Sequence, residues 1–129
     1  LGRTGVRVSP LCFGTMSFGG DADEATAAAM FKRCRDAGIN FFDTADMYSR
    51  GRSEEILGQL IAGCRDELVL TSKFGIRMGD DVNAAGAARR HARVAVGAGA
   101  PGQPPARPVV HLDGAHRQVG AVVVEQDDR

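Results

Sequence analysis

The fold is decided by the stretch Phe41-Phe42-Asp43-Thr44-Ala45-Asp46-Met47-Tyr48, in which an apolar run leads directly into an aspartate. The mainly apolar residues at 39–42 predict a short buried strand. Asp43 would then lie at the carboxyl end of that strand. Because α/β folds bind their ligands at this end of the sheet, the stretch predicts both a buried strand and a functional site beside it.

A second apolar run, at 68–72, ends in a similar way, on Lys73. Tyr48 is the only tyrosine of the chain and follows Asp43 by five positions. An acid, a phenol and an amine would therefore project from neighbouring strand ends, a set that can place a proton on a carbonyl oxygen. A nearby ammonium stabilises a phenolate, and a carboxylate keeps the ammonium charged. The alternative is that Asp43 caps a turn and that Lys73 is solvated, since strand-end polar residues predict function only loosely.

Helical patterns separate the predicted strands. One helix is predicted from Asp21 or Asp23 to about Ala37, and a second from Ser53 to about Gly63. Their predicted buried residues recur at helical spacing and are Ala27, Met30, Phe31, Cys34, Ile56, Leu57, Leu60 and Ile61. Alternation of apolar and polar residues at 6–9 predicts a β-hairpin ahead of a first strand at 11–13. Repeated strand–helix units predict the α/β class, with a parallel sheet and right-handed crossovers.

The composition gives no reason to expect a nucleic-acid or membrane partner. The 129 residues are 43% hydrophobic, and 16 basic residues balance 16 acidic ones. Zero net charge does not favour binding to nucleic acid, and we identify no membrane span or leader peptide. Cys12, Cys34 and Cys64 lack the spacing of a metal site. They predict reduced core thiols, no metal and a cytoplasmic location.

Five segments carry a more specific pattern, in a fixed order along the chain. They are Leu1-Gly2-Arg3-Thr4-Gly5-Val6-Arg7-Val8-Ser9, Phe13-Gly14-Thr15-Met16-Ser17-Phe18-Gly19-Gly20, Gly38-Ile39-Asn40-Phe41-Phe42-Asp43-Thr44-Ala45 with Tyr48, Ser53-Glu54-Glu55-Ile56-Leu57-Gly58 and Thr71-Ser72-Lys73. Together, over residues 1–83, they resemble the aldo-keto reductase family. The resemblance implies a (β/α)₈ TIM barrel, which needs about 250 residues. This chain would hold about the first three βα units, preceded by the β-hairpin.

The resemblance also implies a reaction and the residues that perform it. The family reduces aldehydes and ketones to alcohols, which would make NADP(H) the cofactor and a small-molecule carbonyl compound the substrate. Tyr48 would donate the proton, Lys73 would make the phenol more acidic, and Asp43 would hold Lys73 in place. The cofactor-binding residues would be Gly14, Thr15 and Met16 near the nicotinamide, together with Asp43 and Lys73. The substrate's identity and the oligomeric state are left open.

The family's fourth catalytic residue is a histidine after the next strand. The resemblance makes His111 the candidate, because it follows the apolar pair at 109–110. The residues flanking His111 do not match the family pattern. The alternative is an incidental histidine next to apolar residues.

The composition changes abruptly after residue 83. Residues 84–129 contain no aromatic residue, no lysine and no isoleucine, but four of the five prolines. Residues 89–96 still resemble the start of the family's third barrel helix. We therefore divide the chain into a truncated aldo-keto reductase barrel segment at 1–96 and a divergent tail at 97–129, which we expect to be disordered or frameshifted. Translating the other frames of the coding DNA tests the frameshift hypothesis, and finding no family-like sequence there would contradict it.

The sequence therefore leaves three functional interpretations. The first is an N-terminal fragment of an aldo-keto reductase that is inactive alone, because most of the family's cofactor-binding segments have no counterpart. The second is a non-catalytic subunit that binds a nicotinamide cofactor. The third is a non-functional truncated product, whose open barrel would expose a strand edge and apolar helix faces.

Overall fold

Strands and helices alternate along the chain, as predicted. The computed structural model describes residue 1, residues 3–82 and residue 86. The strands are β1 Cys12–Gly14, β2 Phe41–Asp43 and β3 Val69–Thr71, and the helices are α1 Glu24–Asp36 and α2 Arg52–Ile61. Short 3₁₀ turns at Tyr48–Gly51 and Arg65–Glu67 precede α2 and β3. Within these residues, no helix is long and apolar enough to cross a membrane.

The three strands form one parallel sheet in the order β1-β2-β3. In its register, Gly14 pairs with Asp43, and Asp43 pairs with Thr71. The carboxyl ends of all three strands therefore lie in one row. This arrangement confirms the predicted fold class, since consecutive parallel strands joined through helices are the repeating unit of a (β/α) barrel.

Helix α1 begins where its capping residue predicts. The Asp23 side chain accepts a hydrogen bond from the Thr26 N–H at 2.8 Å, so Asp23, rather than Asp21, is the N-cap. Hydrogen bonding from the Thr26 side chain, together with that from its N–H, lowers the pKa of the Asp23 carboxyl. The helix ends before Gly38, whose φ of 79° is left-handed and suits glycine. Met30 is 38% exposed, so the prediction that it is buried is wrong.

The core lies between the sheet and the helices and is centred on Phe42. The Phe42 side chain is fully buried, and its ring centroid lies 6.0 Å from that of Phe13 and 5.1 Å from that of Phe31. The other members of this cluster, on the helices and loops, include Ala27, Cys34, Ile56, Leu57, Ile61 and Leu68. Because side chains alternate along a strand, Asp43 lies on the opposite face of the sheet from Phe42.

Some local predictions are wrong. Residues 3–10 form no strand, so the predicted β-hairpin is absent. The segment is instead attached to the start of β2, because the Asn40 side chain accepts from the Ser9 N–H at 2.7 Å and donates to the Arg7 carbonyl at 3.1 Å. Of the predicted core thiols, only Cys34 is buried; Cys12 is exposed and Cys64 is half-buried.

The structure describes none of the predicted tail. The division at residue 96, the tail at 97–129 and the candidate His111 all lie outside the described residues. They remain predictions.

Candidate active site

An ion pair joins the carboxyl ends of β2 and β3. The Lys73 ammonium contacts Asp43 Oδ2 and donates to the Thr44 carbonyl oxygen at 2.7 Å. The other carboxylate oxygen, Asp43 Oδ1, accepts from Thr71 Oγ1 at 2.6 Å. The Lys73 and Asp43 side chains are 39% and 33% exposed, so the pair is open to solvent on one side. Both groups are therefore fixed by the protein but accessible to a ligand.

Tyr48 completes the predicted trio. Lys73 Nζ lies 5.1 Å from the centroid of the Tyr48 ring, a cation–π distance. The Tyr48 N–H donates to the Ala45 carbonyl at 3.1 Å, which holds the residue in a tight turn after β2. The structure thus brings together the acid, the amine and the phenol that the strand ends predict. Their catalytic role remains a prediction.

The backbone directly after Tyr48 is unusual. Ser49, Arg50 and Gly51 have φ values of 49°, 55° and 92°, which place three successive residues in the left-handed region. Residues other than glycine adopt this region at an energetic cost. Ser49 Oγ donates to the Phe18 carbonyl at 2.9 Å, a contact that helps to hold the turn in this conformation.

Three hydroxyls, those of Thr15, Thr44 and Ser53, form a hydrogen-bonded cluster next to the site. Ser53 Oγ donates to the Thr15 carbonyl at 2.7 Å, and lies 2.8 Å from Thr15 Oγ1 and 3.2 Å from Thr44 Oγ1. Both Ser53 and Thr15 are fully buried. Ser53 was predicted as the cap of the second helix, but Gly51 is its N-cap and Ser53 lies within α2. The serine instead ties α2 to the loops after β1 and β2.

The predicted cofactor-binding loop after β1 has a mixed character. The Thr15 side chain points towards Ser53, to which its hydroxyl is hydrogen-bonded, and Thr15 has no exposed surface. Met16 is 69% exposed, and a side-chain carbon added at Gly14 would meet no other atom within 4 Å. The open space at Gly14, next to the accessible Asp43 and Lys73, fits a flat ligand ring approaching the strand ends. The residues present are therefore compatible with the nicotinamide site that the family resemblance implies.

Glu54 is a site residue that sequence reasoning missed. Its Oε1 accepts a hydrogen bond from Ser72 Oγ at 2.5 Å. Ser72 directly precedes Lys73 in the sequence. Burial raises the pKa of the Glu54 carboxyl to about 7, against the opposing hydrogen bond from Ser72 and with a smaller contribution from the charge of Asp46. The sequence signals only a carboxylate in the first turn of a helix, because the burial depends on β3 lying alongside.

We expect the stability of the fold to decrease as the pH rises from about 4.5 to about 7. Folding raises the pKa of this acid, so the folded state binds its proton more tightly, and the stabilisation disappears as the proton is lost. The full change is about 3 kcal/mol in the free energy of unfolding. Urea unfolding at a series of pH values should show this slope in the wild type and lose it in Glu54→Gln.

Glu55→Gln is the matched control for this measurement. Glu55 lies in the same turn of α2 but is exposed and pairs with Arg52. Its substitution should leave the pH slope in place. An identical slope in the wild type and in Glu54→Gln would contradict the prediction.

A cleft lies away from this site. It has a volume of about 240 Å³ and is at the amino ends of β2 and β3, where it is lined by Val6, Arg7, Asn40, Asp66, Glu67, Leu68 and Val69. We place the functional site at the carboxyl ends because the ion pair and the phenol are there. No group of three metal-binding side chains is found among the residues that the structure describes.

Comparisons with known proteins agree with the fold and the order of the motifs. The sequence model described as the Aldo/keto reductase family matches residues 10–99. A rice (Oryza sativa subsp. japonica) protein named "Probable voltage-gated potassium channel subunit beta" is 42% identical over 95 residues, 70% of this chain and 29% of that protein. Norsolorinic acid reductase stcV of Emericella nidulans is 49% identical over 79 residues, 54% of this chain and 20% of that protein.

A solved structure is similar as well. A candidate aldo-keto reductase from Pseudomonas aeruginosa is 50% identical, with a TM-score of 0.53, and the match covers 58% of this chain and 30% of that one. The chain thus spans 29%, 20% and 30% of the lengths of these three proteins.

Proposed function

The chain belongs to the aldo/keto reductase family, and we propose that it carries the proton-donating part of a site that reduces small aldehydes and ketones to alcohols with NADPH. The proposal depends above all on one observation. The Lys73 ammonium contacts the Asp43 carboxylate and lies 5.1 Å from the centroid of the Tyr48 ring, at the carboxyl ends of parallel strands. The choice of NADPH rests on the family resemblance, and the proposed cytoplasmic location rests on the predicted reduced thiols.

Each side chain has a separate role in this proposal. Tyr48 donates a proton to the carbonyl oxygen of the substrate. Lys73 favours the negative charge that the phenol acquires as the proton leaves. Asp43, itself held by Thr71, keeps the ammonium charged and aimed. NADPH, when bound, supplies the hydride, and the open space at Gly14 is where its ring would approach these groups.

The experiment uses a chimera, because three strands leave the site open to water. Residues 10–82 replace the matching segment of a full-length reductase of the family, and NADPH oxidation is followed with nitrobenzaldehyde. We expect the chimera to reduce the aldehyde, and the 129-residue chain alone to give little or no turnover, because within the described residues both outer strands have an unpaired edge and Lys73 is 39% exposed. A folded chimera that binds NADPH but reduces no carbonyl compound would contradict the proposal.

A second candidate function is a non-catalytic subunit that binds the cofactor. It is favoured by the 42% identity to the rice protein named as a channel subunit. Calorimetry with NADPH separates the two functions. Stoichiometric binding by the chimera without turnover of any aldehyde would support the second function.

A further inference from the structure

Lys73 needs support at both ends to hold its position. Its ammonium is fixed by Asp43 and by the Thr44 carbonyl. Its own carbonyl accepts from the Asp46 N–H at 2.9 Å. Strand β3 ends at Thr71, so Ser72 is the link between the sheet and the lysine. The placement of Lys73 therefore depends on how Ser72 is held.

Ser72 is held by helix α2. Its hydroxyl donates to Glu54 Oε1 at 2.5 Å, in a partly buried contact between residues 18 positions apart. This hydrogen bond ties the first turn of the helix to the end of the strand. The hydroxyl of the neighbouring Ser53 is hydrogen-bonded to the Thr44 hydroxyl, and the Thr44 carbonyl oxygen accepts a hydrogen bond from the Lys73 ammonium. The start of α2 is thus hydrogen-bonded to two residues next to Lys73, namely Ser72 and Thr44.

Stabilisation of α2 does not explain why the Glu54 side chain is packed against Ser72. Glu55, one residue later, is exposed and pairs with Arg52 at 2.6 Å. Either carboxylate is favourable in the first turn of a helix. Glu54 is the half-buried one, and burial of a carboxyl group is costly unless it is hydrogen-bonded. This burial raises the pKa of its carboxyl group.

We propose that Glu54 is a positioning residue, which acts through Ser72 to hold Lys73 within reach of Asp43 and Tyr48. Its importance for catalysis rests on the proposed function. The geometry itself can be measured without any turnover.

Lysine labelling of the 129-residue chain provides the test. Lys32 and Lys73 are its only lysines, and the Lys32 side chain is 76% exposed, which makes it an internal reference. An amine-acylating reagent and peptide mass spectrometry give the two rates. Ser72→Ala should raise the rate at Lys73 by about fivefold relative to Lys32, the scale on which one net hydrogen bond changes an equilibrium. Glu54→Leu should act in the same way.

Glu54→Gln and Glu55→Leu are the matched variants. Glutamine keeps an oxygen that accepts from Ser72, so it should restore the slow rate. Glu55→Leu alters the same turn without touching Ser72 and should leave the rate at Lys73 unchanged. A rate at Lys73 that is the same in the wild type and in Ser72→Ala would overturn the proposal.

Two further signals separate positioning from unfolding. Cys34 is a buried thiol, so its protection from alkylation reports that the core is intact. Tyr48 is the only tyrosine and the chain has no tryptophan, so a near-ultraviolet circular dichroism band of the phenol reports on the ring beside Lys73. We expect that band to change in Ser72→Ala while Cys34 stays protected. If Glu54→Leu exposes Cys34, Ser72→Ala and Glu54→Gln decide the question.

The test also distinguishes the two proposals. An inactive chimera together with the expected labelling pattern would overturn the reductase function and leave the role of Glu54 standing. An active chimera together with unchanged labelling would do the reverse.

Discussion

Replacing Tyr48 by phenylalanine is expected to lower carbonyl reduction by the chimera about 10²–10⁴-fold, the range of a lost general acid. The substitution removes the phenol hydroxyl alone. The ring stays beside the Lys73 ammonium, 5.1 Å from its centroid, so the packing of the site is preserved. The loss should fall on kcat, with KM nearly unchanged, because the proton is transferred only in the transition state. Steady-state kinetics with NADPH and nitrobenzaldehyde measure both constants.

Ser49→Ala is the control for this substitution. It removes a hydroxyl from the adjacent residue, and that hydroxyl donates a hydrogen bond to the Phe18 carbonyl. It should keep most of the activity. Turnover in Tyr48→Phe that equals turnover in Ser49→Ala would show that the phenol is not the proton donor.

Replacing Phe42 by alanine is expected to cost about 3–5 kcal/mol in the free energy of unfolding. The ring is fully buried in the central strand and contacts both Phe13 and Phe31, so its removal leaves a cavity that the helices cannot close. Small domains are stable by only about 5–15 kcal/mol, so a large part of the stability would be lost. Urea unfolding of the 129-residue chain, followed by circular dichroism, should show a much earlier and weaker transition.

Phe41→Ala is the matched variant. Phe41 is the same residue type one position earlier, but it is half-buried and lies on the opposite face of the sheet. Its loss should cost about 1 kcal/mol. Equal effects at positions 41 and 42 would contradict the placement of the core on one face of the sheet.

The meeting of Asp43 and Lys73 could be predicted from the sequence. Each residue ends an apolar run, and parallel strands joined by helices must bring their carboxyl ends to one edge. The start of α1 was also predictable, because the hydrogen bond that caps it is local to Asp23 and Thr26. In both cases the information lies within a few residues or follows from the topology alone.

The supports of the site could not be predicted in the same way. A serine and a glutamate at 53 and 54 have the pattern of an ordinary helix start. Their actual contacts, with Thr15 and Ser72, join residues 38 and 18 positions apart and depend on how the loops pack. The contacts of the segment at residues 3–10 are likewise long-range, since its hydrogen bonds with Asn40 join residues 31 and 33 positions apart.

The left-handed turn after Tyr48 has a consequence for chemical synthesis of this protein. A mirror-image amino acid prefers the positive φ angles that ordinary residues avoid. Arg50, with a φ of 55°, is therefore a position where the D-enantiomer of arginine would fit the backbone better than the natural one. The configuration at one Cα atom, two residues after Tyr48, could thus be inverted so that the loop conformation becomes more stable and not less.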